Sequence, residues 1–454
     1  MAAQEETLNL PDRVCAALDG LLPEEAGGQL CIAFSGGLDS SVLLHALAQA
    51  LADHPRYTLR AVYIDHQLQA DSARWGRHCA AIAARLGVPC VIERVSVTAP
   101  GAKTADGLQA AARRARYQAL REMLSPGEAL LTAHHADDQL ETVLLALMRG
   151  AGLGGLSAMP PCRRFGPGWH IRPMLDLERG QIEAWARAQA LEWIEDPSNR
   201  AAHFERNYLR HWVVPALRRH HPVGARTAAR SAAHVAEAAA LVDELAMTDL
   251  ATAADGRCLR VAALAGLSPA RRRNLLRHWV KLCGARPPAT RKLAALEHDM
   301  LSAAQDRNPC VAWDGWEVRR HRGLLYCEPA LPPLPTAAMS WRWGMPLQLP
   351  AGPGRLAAVA SADGGLAVEK LPDELRVCLR GGGEALRPQG HAHRRKLKKL
   401  LQTAHVLPWW RGRIPLVYAG ETLIAVGDLW MAREFAAEPG APAVRLVWEG
   451  RPQI

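Results

Sequence analysis

Leu30-Cys31-Ile32-Ala33-Phe34-Ser35-Gly36-Gly37-Leu38-Asp39-Ser40-Ser41 decides how the first half of the chain is read. An apolar run stops at Ser-Gly-Gly, and Asp39-Ser40 opens a segment with apolar residues at Val42, Leu43, Leu44 and Leu47. The pattern predicts a buried strand, a tight turn and a helix N-terminus. Paired glycines admit backbone angles and close approaches that a Cβ forbids. The hydroxyls of Ser35, Ser40 and Ser41 and the N–H groups of the first helical turn then face one point. Such a point suits an anion, and the helix dipole favours phosphate there. No Gly-Lys-Ser/Thr follows, so this is no Walker A loop, and the spacing is not Gly-x-Gly-x-x-Gly. An ordinary strand-to-helix turn capped by Asp39 uses the same residue types, so the neighbouring segments have to decide.

Downstream, strands are predicted at 58–67, 89–97 and 129–134, and helices at 71–86, 104–123, 138–149 and 178–189. Strands alternating with helices of this length imply βαβ units and a parallel sheet covered on both faces. Ligands of such sheets sit beyond the carboxyl ends of the strands. Three polar clusters fall there: Ser35 to Ser40, Asp65-His66, and His134-His135-Ala136-Asp137-Asp138. The last could be read as a transition-metal cluster, although adjacent residues rarely converge on one ion. Asp137 or Asp138 also suits a helix cap. Beside a bound triphosphate, their carboxylates would instead hold Mg²⁺ together with phosphate oxygens. Arg113 and Arg116 lie three apart on a basic helix and share a face. The glycine-rich run from Arg149 to Leu156 is predicted to be a mobile loop.

A chain of 454 residues exceeds one typical core, and 49% hydrophobic with 22% charged residues fits a soluble protein. No apolar run reaches membrane-span length, and the acidic start Met1-Ala2-Ala3-Gln4-Glu5-Glu6 does not read as a signal peptide. The ten cysteines form no Cys-x-x-Cys pair, which argues against a disulfide framework or zinc site and fits the cytoplasm. A net charge of +10 favours a polyanionic partner. From 216 to 301 the chain is Ala- and Arg-rich with helical periodicity, strands are predicted at 311–320 and 323–326, and a proline-rich break spans 329–335. The region from Met339 reads as a small β-rich module. It carries the densest basic run, His391-Ala392-His393-Arg394-Arg395-Lys396-Leu397-Lys398-Lys399, followed by Trp409-Trp410-Arg411. Basic residues beside aromatics suit phosphate contact and base stacking. Leu397, Leu400 and Leu401 also mark an ordinary amphipathic helix, with Trp409 as core.

Ser-Gly-Gly-Leu-Asp-Ser resembles the PP-loop of N-type ATP pyrophosphatases. Taken in order with His-His-Ala-Asp-Asp-Gln-Leu-Glu-Thr, Arg-Pro-Met-Leu, Glu-Asp-Pro-Ser-Asn and Phe-Glu-Arg-Asn-Tyr-Leu-Arg, it resembles the tRNA(Ile)-lysidine synthase family. Arg380 to Pro388 and on to Trp430 resembles that family's C-terminal module. Gln109 stands where relatives often carry Glu. The resemblance implies an α/β, Rossmann-like doubly wound catalytic domain over 1–215. It implies a mostly helical tRNA-binding domain over 216–330, a linker over 331–372 and a C-terminal α+β tRNA-binding domain over 373–454.

The implied reaction adenylylates the C2 carbonyl oxygen of the wobble cytidine of a tRNA(Ile) with a CAU anticodon, releasing diphosphate. The amine of free lysine then displaces AMP to give lysidine, which changes codon reading from AUG to AUA and amino-acid identity from Met to Ile. ATP is a substrate and Mg²⁺ a cofactor; a homodimer is compatible with this picture. Ser35, Gly36, Gly37, Leu38, Asp39 and Ser40 would hold the ATP phosphates. Asp39, one of Asp137 and Asp138, and Arg206 would be catalytic, with Asp39 and Asp138 as Mg²⁺ ligands. Arg113, Arg116, Arg394, Arg395, Lys396, Lys398, Lys399 and Arg411 would contact tRNA. A PP-loop tRNA thiolase would need the cysteine pair that is missing here, and a non-catalytic RNA-binding module would not need an intact loop.

Overall fold

The apolar run before the glycines is strand β1 (Gln29–Ala33), and the segment after them is helix α2 (Leu38–Ala50), preceded by α1 (Leu10–Leu21). The computed structural model describes residues 9–52, 54–69, 71–97, 105–197, 205–303, 307–335, 337–350 and 354–451. They fall into two units, Met1–Glu244 and Leu245–Ile454.

In the first unit the chain continues as β2 (Thr58–Asp65), α3 (Ser72–Arg85), β3 (Cys90–Arg94), α4 (Ala105–Glu122), β4 (Ala129–Leu131) and α5 (Ala136–Met148). Next come a short helix α6 (Leu153–Leu156), a hairpin of β5 (Cys162–Phe165) and β6 (Gly168–Ile171), and α7 (Arg179–Ala188). The unit's last stretch runs from α8 (Glu205–Tyr208) through a π-helical turn, Leu209–Val213, into α9 (Val214–His220) and α10 (Gly224–Ala253), which crosses the unit boundary. The sheet order is β3-β2-β1-β4-β6-β5, parallel throughout except for β5 against β6.

β1 is buried on both faces, as a continuous apolar run requires. Leu30 and Ile32 pack with α1, α2 and α7 residues such as Val14, Val42 and Ile182. Cys31 faces the opposite layer, with Val62, Leu120 and Leu130. Strand order reverses between β1 and β4, so the loops leaving these two strands flank the crevice where such sheets bind ligands. A half-buried ion pair ties the sheet's far end: Arg60 of β2 donates to both carboxylate oxygens of Glu128, at 2.6 and 2.8 Å.

The second unit opens with β7 (Ala254–Asp255), β8 (Cys258–Arg260), α11 (Val261–Ala265), α12 (Pro269–Leu282) and α13 (Thr290–Ser302). β9 (Cys310–Trp313), β10 (Trp316–His321) and β11 (Leu324–Pro329) complete a sheet of order β7-β8-β11-β10-β9. Beyond it, a five-stranded and a four-stranded antiparallel sheet share one core with helix Leu397–Thr403.

Two expectations are corrected. The run from Arg149 to Leu156 is not simply a loop, because Leu153–Leu156 forms a helical turn with Ser157 Oγ donating to the Leu153 carbonyl at 2.6 Å. The single strand expected at 311–320 is two, since Asp314 and Gly315 take positive φ (44° and 77°) and reverse the chain. Thr104, Ser198, Asn199 and Phe204, which belong to the predicted helix and motifs, lie outside the described residues.

Candidate active site

Gly36 adopts φ +76°, which turns the chain off β1. A Cβ there would meet Ile194 Cδ1 at 2.6 Å and Cys79 Sγ at 2.8 Å. The Ile194 amide donates to the Gly36 carbonyl at 2.8 Å, so the segment before Glu195-Asp196 is pinned on the loop. Ser40 Oγ lies 3.0 Å from Ser35 Oγ and donates to the Gly37 carbonyl at 3.0 Å, while the Ser41 amide closes the first helical bond onto Gly37. The amides of Leu38, Asp39 and Ser40 precede that first bond and have no intrahelical acceptor. They point out of the helix end, as an anion site requires.

From β4 the chain enters α5 through His134 and His135. Asp138, at the third helical position, accepts from the His135 amide at 3.1 Å, the carboxylate half of a capping box. His135 is buried among Asp39, Asp137 and Asp138, with ring nitrogens 3.5 to 3.7 Å from their carboxylates. Burial opposes its charge, but the three carboxylates overcome that and raise its pKa to about 10. Asp39 is likewise desolvated, yet His135 above all, with Arg179 and Arg210, holds its carboxyl below the usual range. Asp39 Oδ1 is buried without a hydrogen-bond partner among the described residues, a position that suits a cation shared with phosphate oxygens. Asp138 differs: its Oδ1 accepts from Arg206 at 2.9 Å and Arg210 at 3.1 Å. The same two guanidinium groups fork onto Glu141, each through Nε at 2.7 Å.

Ser35, Gly37, Leu38, Asp39, Ser40, Arg113, Arg116, Asp138 and Arg206 line one open cleft of about 650 Å³, within the range of small-molecule sites. Gly36 shapes the wall from behind. Asp137, like Gly36, is an expected residue that is not brought to the lining: its carboxylate accepts from the Arg179 amide at 2.9 Å and from Arg218, tying α5 to α7 and α9. Sequence left Asp137 and Asp138 as alternatives, and the cleft holds Asp138. Arg210, Arg179, Glu183, Trp193 and His211 also line it and were missed. Arg210 had a signal, standing four residues after Arg206 as Glu141 stands three after Asp138. No group of three or more metal-ligating side chains exists among the described residues, which leaves the transition-metal reading without support.

In the second unit Arg394, Arg395, Lys396, Lys398 and Lys399 are exposed around buried Leu397, Leu400 and Leu401. A hollow of about 670 Å³ is bordered by His391, Arg394, Arg395, Lys396, Lys399 and Trp430. The aromatic beside the basic run is thus Trp430. Trp409 donates to Glu328 at 2.9 Å and packs edge-on to Tyr326, and Trp410 is buried. Arg411 is half-buried and donates to the Val406 carbonyl at 2.8 Å.

A doubly wound sheet with a Ser-Gly-Gly-Leu-Asp-Ser anion loop at its switch point defines a PP-loop protein, and residues 12–217 match the PP-loop domain family. Residues 259–326 match the TilS substrate binding domain and 375–448 the TilS substrate C-terminal domain. A tRNA(Ile)-lysidine synthase of Coxiella burnetii is 41% identical over 415 residues, covering 91% of each chain. That of Alkalilimnicola ehrlichii is 44% identical over 413 residues, covering 90% of this chain and 92% of its own. That of Escherichia coli O157:H7 is 39% identical over 431 residues, covering 93% and 96%. This chain belongs to the tRNA(Ile)-lysidine synthase family.

Proposed function

We propose that the chain is a ligase that couples ATP to the formation of lysidine on a tRNA(Ile) with a CAU anticodon. The observation that carries the reading is the single cleft shared by the Ser35–Ser40 loop and the segment after β4, in a chain of this family. ATP phosphates rest on the Ser35–Ser40 loop and helix N-terminus. Asp39 offers its orphaned oxygen to Mg²⁺, and Asp138 is the second acidic partner, held by Arg206 and Arg210. Mg²⁺, when bound, neutralises charge that builds on the phosphates.

The base carbonyl is a poor leaving group until esterified to AMP, after which C2 is open to attack by the lysine amine. That amine has a reference pKa of about 10.4 and must lose a proton, which the cleft's carboxylates can accept. Arg206 sits against the cleft with its guanidinium plane fixed by Glu141 and Asp138, ready to stabilise charge on the reacting phosphoryl group. The anticodon base is single-stranded and can be splayed into the cleft at modest unstacking cost. Arg113 and Arg116 at the rim, and the exposed basic run of the second unit, contact the tRNA backbone.

Incubation of a tRNA(Ile) transcript with the protein, ATP, Mg²⁺ and labelled lysine, followed by nucleoside analysis, is expected to yield labelled lysidine. Asp39→Ala and Arg206→Ala are expected to lose at least a hundredfold in tRNA-dependent ATP–diphosphate exchange. Unchanged exchange in either folded variant removes that residue from the mechanism, and transcript without label after complete ATP turnover removes the reaction.

A further inference from the structure

His134 lines the cleft but has no part in the scheme above. Behind it lies a chain of hydrogen bonds reaching into the unit: His134 Nδ1 to Thr132 Oγ1 at 2.8 Å, Thr132 Oγ1 to His170 Nε2 at 2.9 Å, and His170 Nδ1 to Arg172 at 3.2 Å. Thr132, His170 and Arg172 are buried. Tyr117 and Phe165 pack on the His170 ring, with centroids 5.8 and 5.6 Å away, so its orientation is fixed.

The donor inventory orients every bond in this chain. A guanidinium can only donate, so His170 Nδ1 accepts. His170 is neutral, because burial first and then Arg172, Arg163, Arg113 and Arg116 push its pKa down to about 2. Its proton therefore sits on Nε2 and is donated to Thr132 Oγ1. Thr132 Oγ1 has no other acceptor within hydrogen-bond distance among the described residues, so its one hydrogen goes to the remaining neighbour, His134 Nδ1. Burial and then Arg172, Arg113, Arg206 and Arg116 keep His134 neutral as well. With Nδ1 accepting, the ring proton of His134 lies on Nε2. The ring's one hydrogen bond among the described residues is the one at Nδ1, and the His134 side chain lines the cleft.

We propose that His134 is a catalytic residue presenting a neutral Nε2–H donor to an oxygen of the reacting centre, and that Thr132, His170 and Arg172 are positioning residues that fix that tautomer. An imidazole protonated at Nε2 can neither take a proton nor ligate a metal through that atom. What it can do is polarise an acceptor, as a neutral imidazole does when nearby positive potential keeps it uncharged. The acceptor is a phosphoryl oxygen of the nucleotide or the carbonyl oxygen of the base. Only this identity rests on the reaction proposed above; the tautomer does not.

Long-range ¹H–¹⁵N NMR of the full chain labelled with ¹⁵N-histidine reads the tautomer directly, with His134→Gln giving the assignment. The expected spectrum shows a protonated Nε2 and an unprotonated Nδ1 for His134 between pH 6 and 8, and a shift toward a mixture in Thr132→Val. His134→Ala is expected to lose at least tenfold in tRNA-dependent diphosphate exchange. His134→Gln, whose amide N–H reaches about the same place, should recover part of that loss. Weaker ATP binding by His134→Ala without tRNA assigns the phosphoryl oxygen, and a loss seen only with tRNA assigns the base carbonyl. A wild-type ring protonated on Nδ1, or on both nitrogens, overturns the proposal whether or not lysidine forms. So does a His134→Ala protein with wild-type exchange.

Discussion

At Gly36 one hydrogen atom in place of a methyl group decides whether the anion loop can close. Alanine there would take a left-handed backbone at a cost of roughly 1–2 kcal/mol. It would also set its methyl 2.6 Å from Ile194 Cδ1, on the strap that carries Glu195 and Asp196. Gly36→Ala is expected to lower stability by about that amount in urea and to weaken ATP binding tenfold or more in calorimetry. His170 makes a second prediction, about acid. Its folded-state pKa, about 2, lies below the ordinary 6.5. The unfolded chain thus binds the proton that the folded chain refuses, and the histidine's contribution is intact above pH 6.5. It falls by about 1.4 kcal/mol per pH unit as acid is added below that value. A His170→Gln protein should show a shallower loss of urea stability between pH 6 and pH 4 than the wild type; equal slopes would assign the acid sensitivity elsewhere. Sequence named Asp39, Asp138 and Arg206 because each sits in a recognisable motif. It could not choose Asp138 over Asp137, since neighbours on a helix differ by about 100° in direction and only the docked partners Arg179 and Arg218 show which one is taken away.

Elements were legible where periodicity and length agreed. The Leu30-Cys31-Ile32 run could only be a strand buried on both faces, and α2, α3, α5 and α7 carry apolar stripes long enough to mark them. The β5–β6 hairpin escaped because Cys162-Arg163-Arg164-Phe165 offers two charges and no alternation that separates strand from loop. Its place at the sheet edge is a tertiary outcome. The π-helical turn at Leu209–Val213 was equally invisible, although it lies between Arg206 and α9 and widens the helix where the two arginines meet Glu141. What holds β2 to β4 away from the cleft is the Arg60–Glu128 pair, with Glu128 also accepting from the Ser125 amide at 2.9 Å. Glu128 is buried, so removing it strands a guanidinium rather than exposing a neutral surface. Arg60 is half-buried and keeps its bond to the Met123 carbonyl at 2.9 Å, so Glu128→Ala is expected to destabilise the first unit by about 1–3 kcal/mol in denaturant. A change under about 1 kcal/mol would mean that water solvates the stranded guanidinium.

Across the whole molecule the excess of positive charge is distributed, and its use depends on which cations already have partners. Much of the arginine of the first unit is committed to carboxylates: Arg206 and Arg210 to Asp138 and Glu141, Arg218 to Asp137, Arg60 to Glu128. The exposed run from Arg394 to Lys399 has no such partner among the ion pairs of the described residues. Lys398 and Lys399 stand on the solvent side of a helix whose other side, Leu397, Leu400 and Leu401, is core. Like charges this close repel unless an anion compensates, and a polyanion releases counterions when it does so. Arg411 is a different kind of cation, since its Nε is engaged by the Val406 carbonyl and its side chain is half-buried. The contrast gives a measurement. For tRNA binding, the slope of log K against log salt is expected to fall by about 0.7–0.9 for each phosphate that the protein no longer neutralises. A Lys398→Ala, Lys399→Ala protein should therefore show a slope shallower by about 1.5 with unchanged thermal stability. Arg411→Ala should do the reverse, lowering the melting temperature while leaving the slope alone. Identical slopes in the double variant and the wild type would take the RNA off this helix and leave the basic run as solvated surface.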